Sequence, residues 1–251
     1  AYDSVTDRVI VVDRTAGIWT FPFTAPNSLS SVSFASSIDC AHYASGVSGY
    51  LGATFDRVNS LLYVAFQSSV SGANGVVVMP IATPAQCRTV IRPFTTELSM
   101  AWNTVNGKMF IAATPQTIHA MEWPTGKTPF QSIGSCSLLS SPVRMVVDPI
   151  TDNLYLTLSS RSSILRVPSN APTTCQYVNT ASLTLSTSLQ SVAINPTFSQ
   201  LFVYDSGYRR IVFVDLLAPS TNTKYLHSST IEMVWALSTD ATRNLLYSIG
   251  Y

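Results

Sequence analysis

The 251-residue chain sets 14 Lys and Arg against 13 Asp and Glu, a formal charge of +1, and is 46% hydrophobic but only 11% charged. About a quarter charged is usual for a globular domain, so disorder is excluded, and with no block of basic residues the electrostatic footprint of nucleic-acid binding is missing. Ser, Thr, Asn, Gly or Pro interrupts every apolar run well before the roughly 20 residues of a membrane helix, so membrane insertion is not expected either.

Six segments share an Asp or Asn, a short polar turn and then an aliphatic-aromatic strand. In chain order they are DSVTDRVIVV from Asp3, DRVNSLLYVA from Asp56, NTVNGKMFIA from Asn103, DPITDNLYLT from Asp148, NPTFSQLFVY from Asn195 and DATRNLLYSI from Asp240. The anchors are 53, 47, 45, 47 and 45 residues apart, a repeat of the length that builds solenoids or propellers. The fifth unit shows the content of each. Strand A is Ser191 to Ile194, strand B Leu201 to Tyr204, strand C Ile211 to Val214, and strand D lies around Tyr225 to His227. The strands are short, β-branched and aromatic, bounded by Asn, Asp, Gly, Pro and Ser, and no segment sustains helical periodicity. Four-stranded antiparallel units of this length predict an all-β propeller with strand A at the axis and strand D at the rim. Asp3, Asp56, Asn103, Asp148, Asn195 and Asp240 then sit in the A-to-B turns, where a short polar side chain accepts backbone N–H bonds.

The segments VDPITDNLYLTLSSRSSILRV and INPTFSQLFVYDSGYRRIVFVDL resemble blades of NHL and YWTD-type six-bladed propellers. The resemblance runs through the whole chain and implies a fold; gluconolactonase-like and strictosidine-synthase-like enzymes belong to the same superfamily. The Asp that ends strand B in the YWTD pattern is matched only by Asp13 and Asp205, and the Trp of that motif is absent.

Residues 1–251 are expected to form a single propeller domain. Unit one lacks nearly all of strand A and unit six stops after strand B, which predicts six blades with incomplete terminal ones. The alternative is five, with a closing blade shared by the two termini. Open edges are costly, so flanking sequence or a neighbouring chain is expected to complete them. The start at Ala1, inside a repeat and without a signal peptide, points to processing or to part of a longer chain.

The channel mouth lies at the start of strand A, and there the sequence offers Glu97, Arg144, Gln190 and Glu232 as a tentative ligand site. The bland reading pairs Arg144 with Glu97 or Glu232; the functional one is an anion or carboxylate site. A metal-dependent hydrolase needs more converging ligands than these four supply. His42, His119 and His227 fall in three different units, which argues against a zinc lyase. Gly-x-Ser-x-Gly is only approximated by GVSGY around Ser48, and no phosphate-binding glycine loop is present. No catalytic residue, metal or cofactor is therefore predicted.

Cys40, Cys87, Cys136 and Cys175 fall one per unit near strand D, 16, 16, 12 and 20 residues before the next anchor. Equivalent rim positions of neighbouring blades are expected to exceed the roughly 4.4–6.8 Å Cα separation of a disulfide, so simple pairing is not implied, but the unequal offsets allow one cysteine to reach a neighbouring loop. The even count still argues for oxidation in some pairing, including with another chain; buried free thiols are the alternative. Tyr63, Phe110, Tyr155, Phe202 and Tyr247 occupy one strand B position and are expected to pack between blades. Trp19, Trp123, Tyr43, Tyr50 and Tyr208 fall outside that pattern and are candidates for stacking on sugars or a protein partner.

Low charge, hydroxyl-rich loops and one cysteine per unit lead to a secreted or extracellular propeller. It is expected to be a non-enzymatic binding or structural module, with a protein partner, self-assembly or a glycan as its ligand. N-glycosylation is not expected, since no Asn-x-Ser/Thr acceptor occurs. The alternative is a lactonase-like or lyase-like enzyme at the channel mouth.

Overall fold

The computed structural model describes residues 2–3, 8–13, 17–22, 36–38, 47–56, 58–68, 74–80, 88–94, 98–113, 116–122, 131–139, 142–158, 161–180, 183–219, 221–227, 234–241 and 243–250. These form five four-stranded antiparallel sheets and one two-stranded sheet. The first is β1 (Tyr2–Asp3), β2 (Arg8–Asp13), β3 (Gly17–Pro22) and β4 (Ser36–Ile38); the second is β5 (Val47–Asp56), β6 (Leu61–Ser68), β7 (Asn74–Pro80) and β8 (Arg88–Phe94). The third is β9 (Leu98–Asn103), β10 (Lys108–Ala113), β11 (Thr117–Glu122) and β12 (Gln131–Ser135). The fourth is β13 (Pro142–Asp148), β14 (Asn153–Leu158), β15 (Ile164–Pro168) and β16 (Gln176–Tyr177), and the fifth β17 (Leu189–Asn195), β18 (Gln200–Asp205), β19 (Arg210–Asp215) and β20 (Thr223–His227). Last come β21 (Val234–Asp240) and β22 (Leu245–Gly250), which pair with each other and not with β1–β4.

Within each sheet the strands follow chain order, and the first strands meet one another across sheets. β5 lies against β9, β9 against β13, β13 against β17 and β17 against β21, while β21 also touches β1. Each sheet is thus a radial blade with its first strand innermost. Alternation of side chains along a strand, with a blade on either face, explains why the middles of the second strands are largely apolar on both faces. Met109, Ile111 and Ala113 of β10 face the second blade and join Tyr63, Val76 and Trp102, whereas Phe110 and Ala112 face the fourth and join Met145, Leu154 and Leu156. Tyr63 stacks on Trp102 with ring centroids 5.4 Å apart. Tyr155 packs against the fifth blade and Phe202 against the β21 strand in the same way.

Two backbone features recur with the repeat. Four innermost strands carry a β-bulge five residues before the anchor, at Leu51, Val143, Gln190 and Trp235. Four residues after the anchor the chain is left-handed, at Ser60, Gly107, Asp152, Ser199 and Asn244, with φ of 53°, 65°, 56°, 50° and 53°. That conformation lets the fifth residue of the turn close back on the anchor, as in Gly107 N–H to Asn103 O at 3.0 Å and Asp152 N–H to Asp148 O at 2.8 Å.

Two of the cysteines decide between the alternatives left open. Cys136 and Cys175 form a disulfide between adjacent blades, with Cα atoms 5.9 Å apart. Cys136 follows β12 and Cys175 immediately precedes β16, so the two are not equivalent rim positions and the spacing argument against pairing does not apply. Pro172 packs so closely beside the bridge that a Cβ on Gly134 of β12 would lie 2.7 Å from its Cγ. Cys40 and Cys87 lie outside the described residues, and no described cysteine is free.

Candidate binding surfaces

The A-to-B turns gather on one face of the propeller, and their geometry follows from the anchors. Asp56, Asn103 and Asp148 each accept, through Oδ1, the backbone N–H two residues on: Val58 at 2.9 Å, Val105 at 2.8 Å and Ile150 at 3.0 Å. Asp240 accepts from Arg243 N–H at 3.2 Å. Asn195 differs: its Oδ1 accepts nothing, and its Nδ2 instead donates to Asn244 Oδ1 of the next turn at 2.9 Å. Asn103 makes the same reach, donating to Asp152 Oδ1 at 2.6 Å, and Asn106 Nδ2 joins it at 3.0 Å. The side chain of Asp3 lies outside the described residues. Two pairs of neighbouring turns, third with fourth and fifth with sixth, are therefore latched together.

The Asx turns hold the residue two after the anchor outward. Val58, Val105 and Ile150 are 75%, 72% and 71% exposed, on three successive blades. Scattered exposed aliphatics are ordinary, but three β-branched residues at one turn position, each fixed by the same hydrogen bond, form a preorganised apolar arc. The residue column could have been found in the repeat itself, since the same position holds Val5, Thr197 and Thr242. The direction of its side chains needed the turn.

At the opposite end of the innermost strands lie the mouth candidates. Arg144 and Gln190 stand near the bulges of the adjacent strands β13 and β17. They are not in register, because Gln190 is itself a bulge residue and Arg144 follows one. Arg144 Nη1 donates to Val143 O at 2.9 Å, and burial lowers the guanidinium's pKa below its ordinary value. Glu97 and Glu232 lie outside the described residues. No group of three His, Cys, Asp or Glu side chains suited to a metal occurs among the described residues.

A third constellation joins the fourth-to-fifth blade connection to the turn after β18. Asp205, fully buried, receives Arg210 Nη2 at 3.1 Å and Nε at 3.2 Å, Ser186 N–H at 3.2 Å and the Ser186 hydroxyl. Arg210 also donates to Thr184 O. Its guanidinium lies 4.5 Å from the Tyr208 ring centroid and 5.0 Å from that of Tyr225, and both rings are about half exposed. Cation–π contact with an arginine held by Asp205 and Thr184 fixes both rings as a surface. Tyr208 was legible as an unpatterned aromatic; Tyr225 was assigned to strand D and missed. The side chains of Trp19, Trp123, Tyr43 and Tyr50 lie outside the described residues.

Radial four-stranded antiparallel blades with their first strands innermost define a β-propeller, of the kind the NHL and YWTD-like segments imply. A chain in the crystal structure of a nidogen/laminin complex superposes over 96% of this chain and 84% of its own length, with a TM-score of 0.74 at 17% identity. An auxiliary nutrient binding protein from Bacteroides ovatus ATCC 8483 matches 99% of this chain and 65% of its own, with a TM-score of 0.73 at 13% identity. A luciferin-regenerating enzyme matches 82% of this chain and 69% of its own, with a TM-score of 0.60 at 12% identity. No protein-family model and no curated protein matches the sequence. At these identities the likeness carries the fold and leaves function to the sites.

Proposed function

We propose that residues 1–251 form a single non-enzymatic, extracellular propeller module that docks a protein through the A-to-B turn face, as a binding or structural component of a larger assembly. The observation that carries this reading is the arc of Val58, Val105 and Ile150, exposed and rigidly presented on successive blades. Partner surfaces of this kind combine apolar anchors with a polar surround. Binding proteins among the structural likenesses, one in a complex with laminin and others described as nutrient binding, fit that class. The Cys136–Cys175 bridge supports an oxidising compartment. No helix among the described residues is long and apolar enough to cross a membrane.

The Tyr208–Arg210–Tyr225 surface is where a glycan would stack within the same module. The competing reading is a lactonase-like or lyase-like enzyme, which uses Glu97, Arg144, Gln190 and Glu232 at the mouth. The luciferin-regenerating enzyme is a reminder that propellers also host catalysis.

The discriminating experiment is paired affinity capture from extracellular material with the wild-type chain, the V58S/V105S/I150S variant and K224A, which alters an exposed position on β20. The reading expects a protein held by wild type and K224A and lost by the triple variant. Capture unaffected by the triple variant, or lactone hydrolysis abolished by R144Q, would overturn it.

A further inference from the structure

Between the outer parts of the fourth and fifth blades lies a cleft of about 260 Å³. Tyr155 of β14, Arg166 of β15 and Gln176 and Tyr177 of β16 line it from one blade, and Leu216 and Pro219, which follow β19, line it from the next. It shares no residue with the turn-tip arc or with the mouth candidates.

Arg166 is the unusual member. Its Nε is buried without a hydrogen-bond partner, and no ion pair of the described residues includes it. A guanidinium keeps its charge and presents donors with no acceptor of its own, so a buried, unanswered N–H is costly unless something accepts from it. Arg210 shows how this fold otherwise treats a buried guanidinium: Asp205 pairs with it at 3.1 Å, and Tyr208 and Tyr225 flank it. Arg166 also has tyrosines in its cleft, Tyr155 and Tyr177, but among the described residues no carboxylate pairs with it. The apolar side of the cleft, from Leu216 and Pro219, adds a surface for carbon rather than for a second charge.

We propose that this inter-blade cleft binds a carboxylate carried on an apolar or aromatic body, with the Arg166 fork on the carboxylate and Tyr177, Leu216 and Pro219 around the body. A planar carboxylate matches the fork in a way that a neutral amide does not. The acid has two sources with the same chemistry, a free small molecule or an acidic side chain of a bound polypeptide.

The test uses 3-phenylpropionate, 3-phenylpropionamide and the blocked dipeptide acetyl-Phe-Glu-amide, titrated against the full chain while the Arg166 Nε–H signal is followed by NMR, assigned by its loss in R166K. The acid is expected to bind at least about tenfold more tightly than its amide and to shift the Nε–H signal. R166Q is expected to remove that preference, and Tyr177→Ala to weaken acid and amide alike while preserving it. Tighter binding of the dipeptide assigns the carboxylate to a polypeptide, and tighter binding of phenylpropionate to a free acid. Should R166Q not fold, the wild-type Nε–H signal decides. An acid and amide that bind equally, acid binding unchanged in a folded R166Q, or an Nε–H signal that none of the probes moves would overturn the proposal.

Discussion

Asn103 and Asn195 look interchangeable as anchors, yet each is committed to a different neighbour. Asn103 Nδ2 donates to the Asp152 carboxylate and Asn195 Nδ2 to the Asn244 amide oxygen. N103D would set two carboxylates against each other and is predicted to destabilise by about 1–3 kcal/mol, with D152N restoring most of the loss. N195D is predicted to be tolerated, because the Asn244 amide can turn to donate; denaturant melts of the four chains check both. At the fifth position of the same turns, Gly107 sits at φ 65°, and G107A is predicted to cost about 1 kcal/mol because a Cβ there crowds the carbonyl. A pH effect belongs to Asp215, whose pKa is lowered first by the Leu217 N–H and next by the Asn222 amide. A depressed carboxyl stabilises above its unfolded pKa and loses that contribution as pH falls through the folded value. The Leu217 amide resonance is therefore predicted to shift only below the ordinary carboxylate range, and D215N to abolish that shift.

Strands and anchors were legible because their determinants are local. β18 and β19 run Gln200–Asp205 and Arg210–Asp215, within a residue of the apolar runs that mark them, because alternating side chains and turn chemistry act over a few residues. The left-handed fifth position was less visible: Gly107, Asp152 and Asn244 are residues that tolerate it, but Ser60 and Ser199 are not distinctive. Oxidation in some pairing was legible from the even count and unequal offsets, but which cysteines pair shows only in the fold, where Cys136 and Cys175 flank their outer strands on different sides. That bridge closes a segment of 39 residues between blades, and its reduction is predicted to cost about 3–4 kcal/mol. Thermal melts with and without reductant, compared with C136S/C175S, measure it. Arg166 was unreadable in sequence, because an arginine without a partner is a statement about everything around it.

At the scale of the molecule, inter-blade packing carries the structure and the loops carry the candidates for function. Each apolar cluster spans two blades, so neighbouring anchors are held in fixed relation and the turn tips inherit that rigidity. A rigid arc loses little conformational entropy when covered, which favours docking through it. The most direct measurement is methyl NMR of the captured complex, with Val58, Val105 and Ile150 observed in the free and bound chain. Their methyl signals are predicted to shift on binding while residues around Arg144 and Gln190 stay unchanged. Shifts confined to the start of β13 and β17, with the turn-tip methyls unmoved, would contradict docking through the arc and place function at the channel mouth.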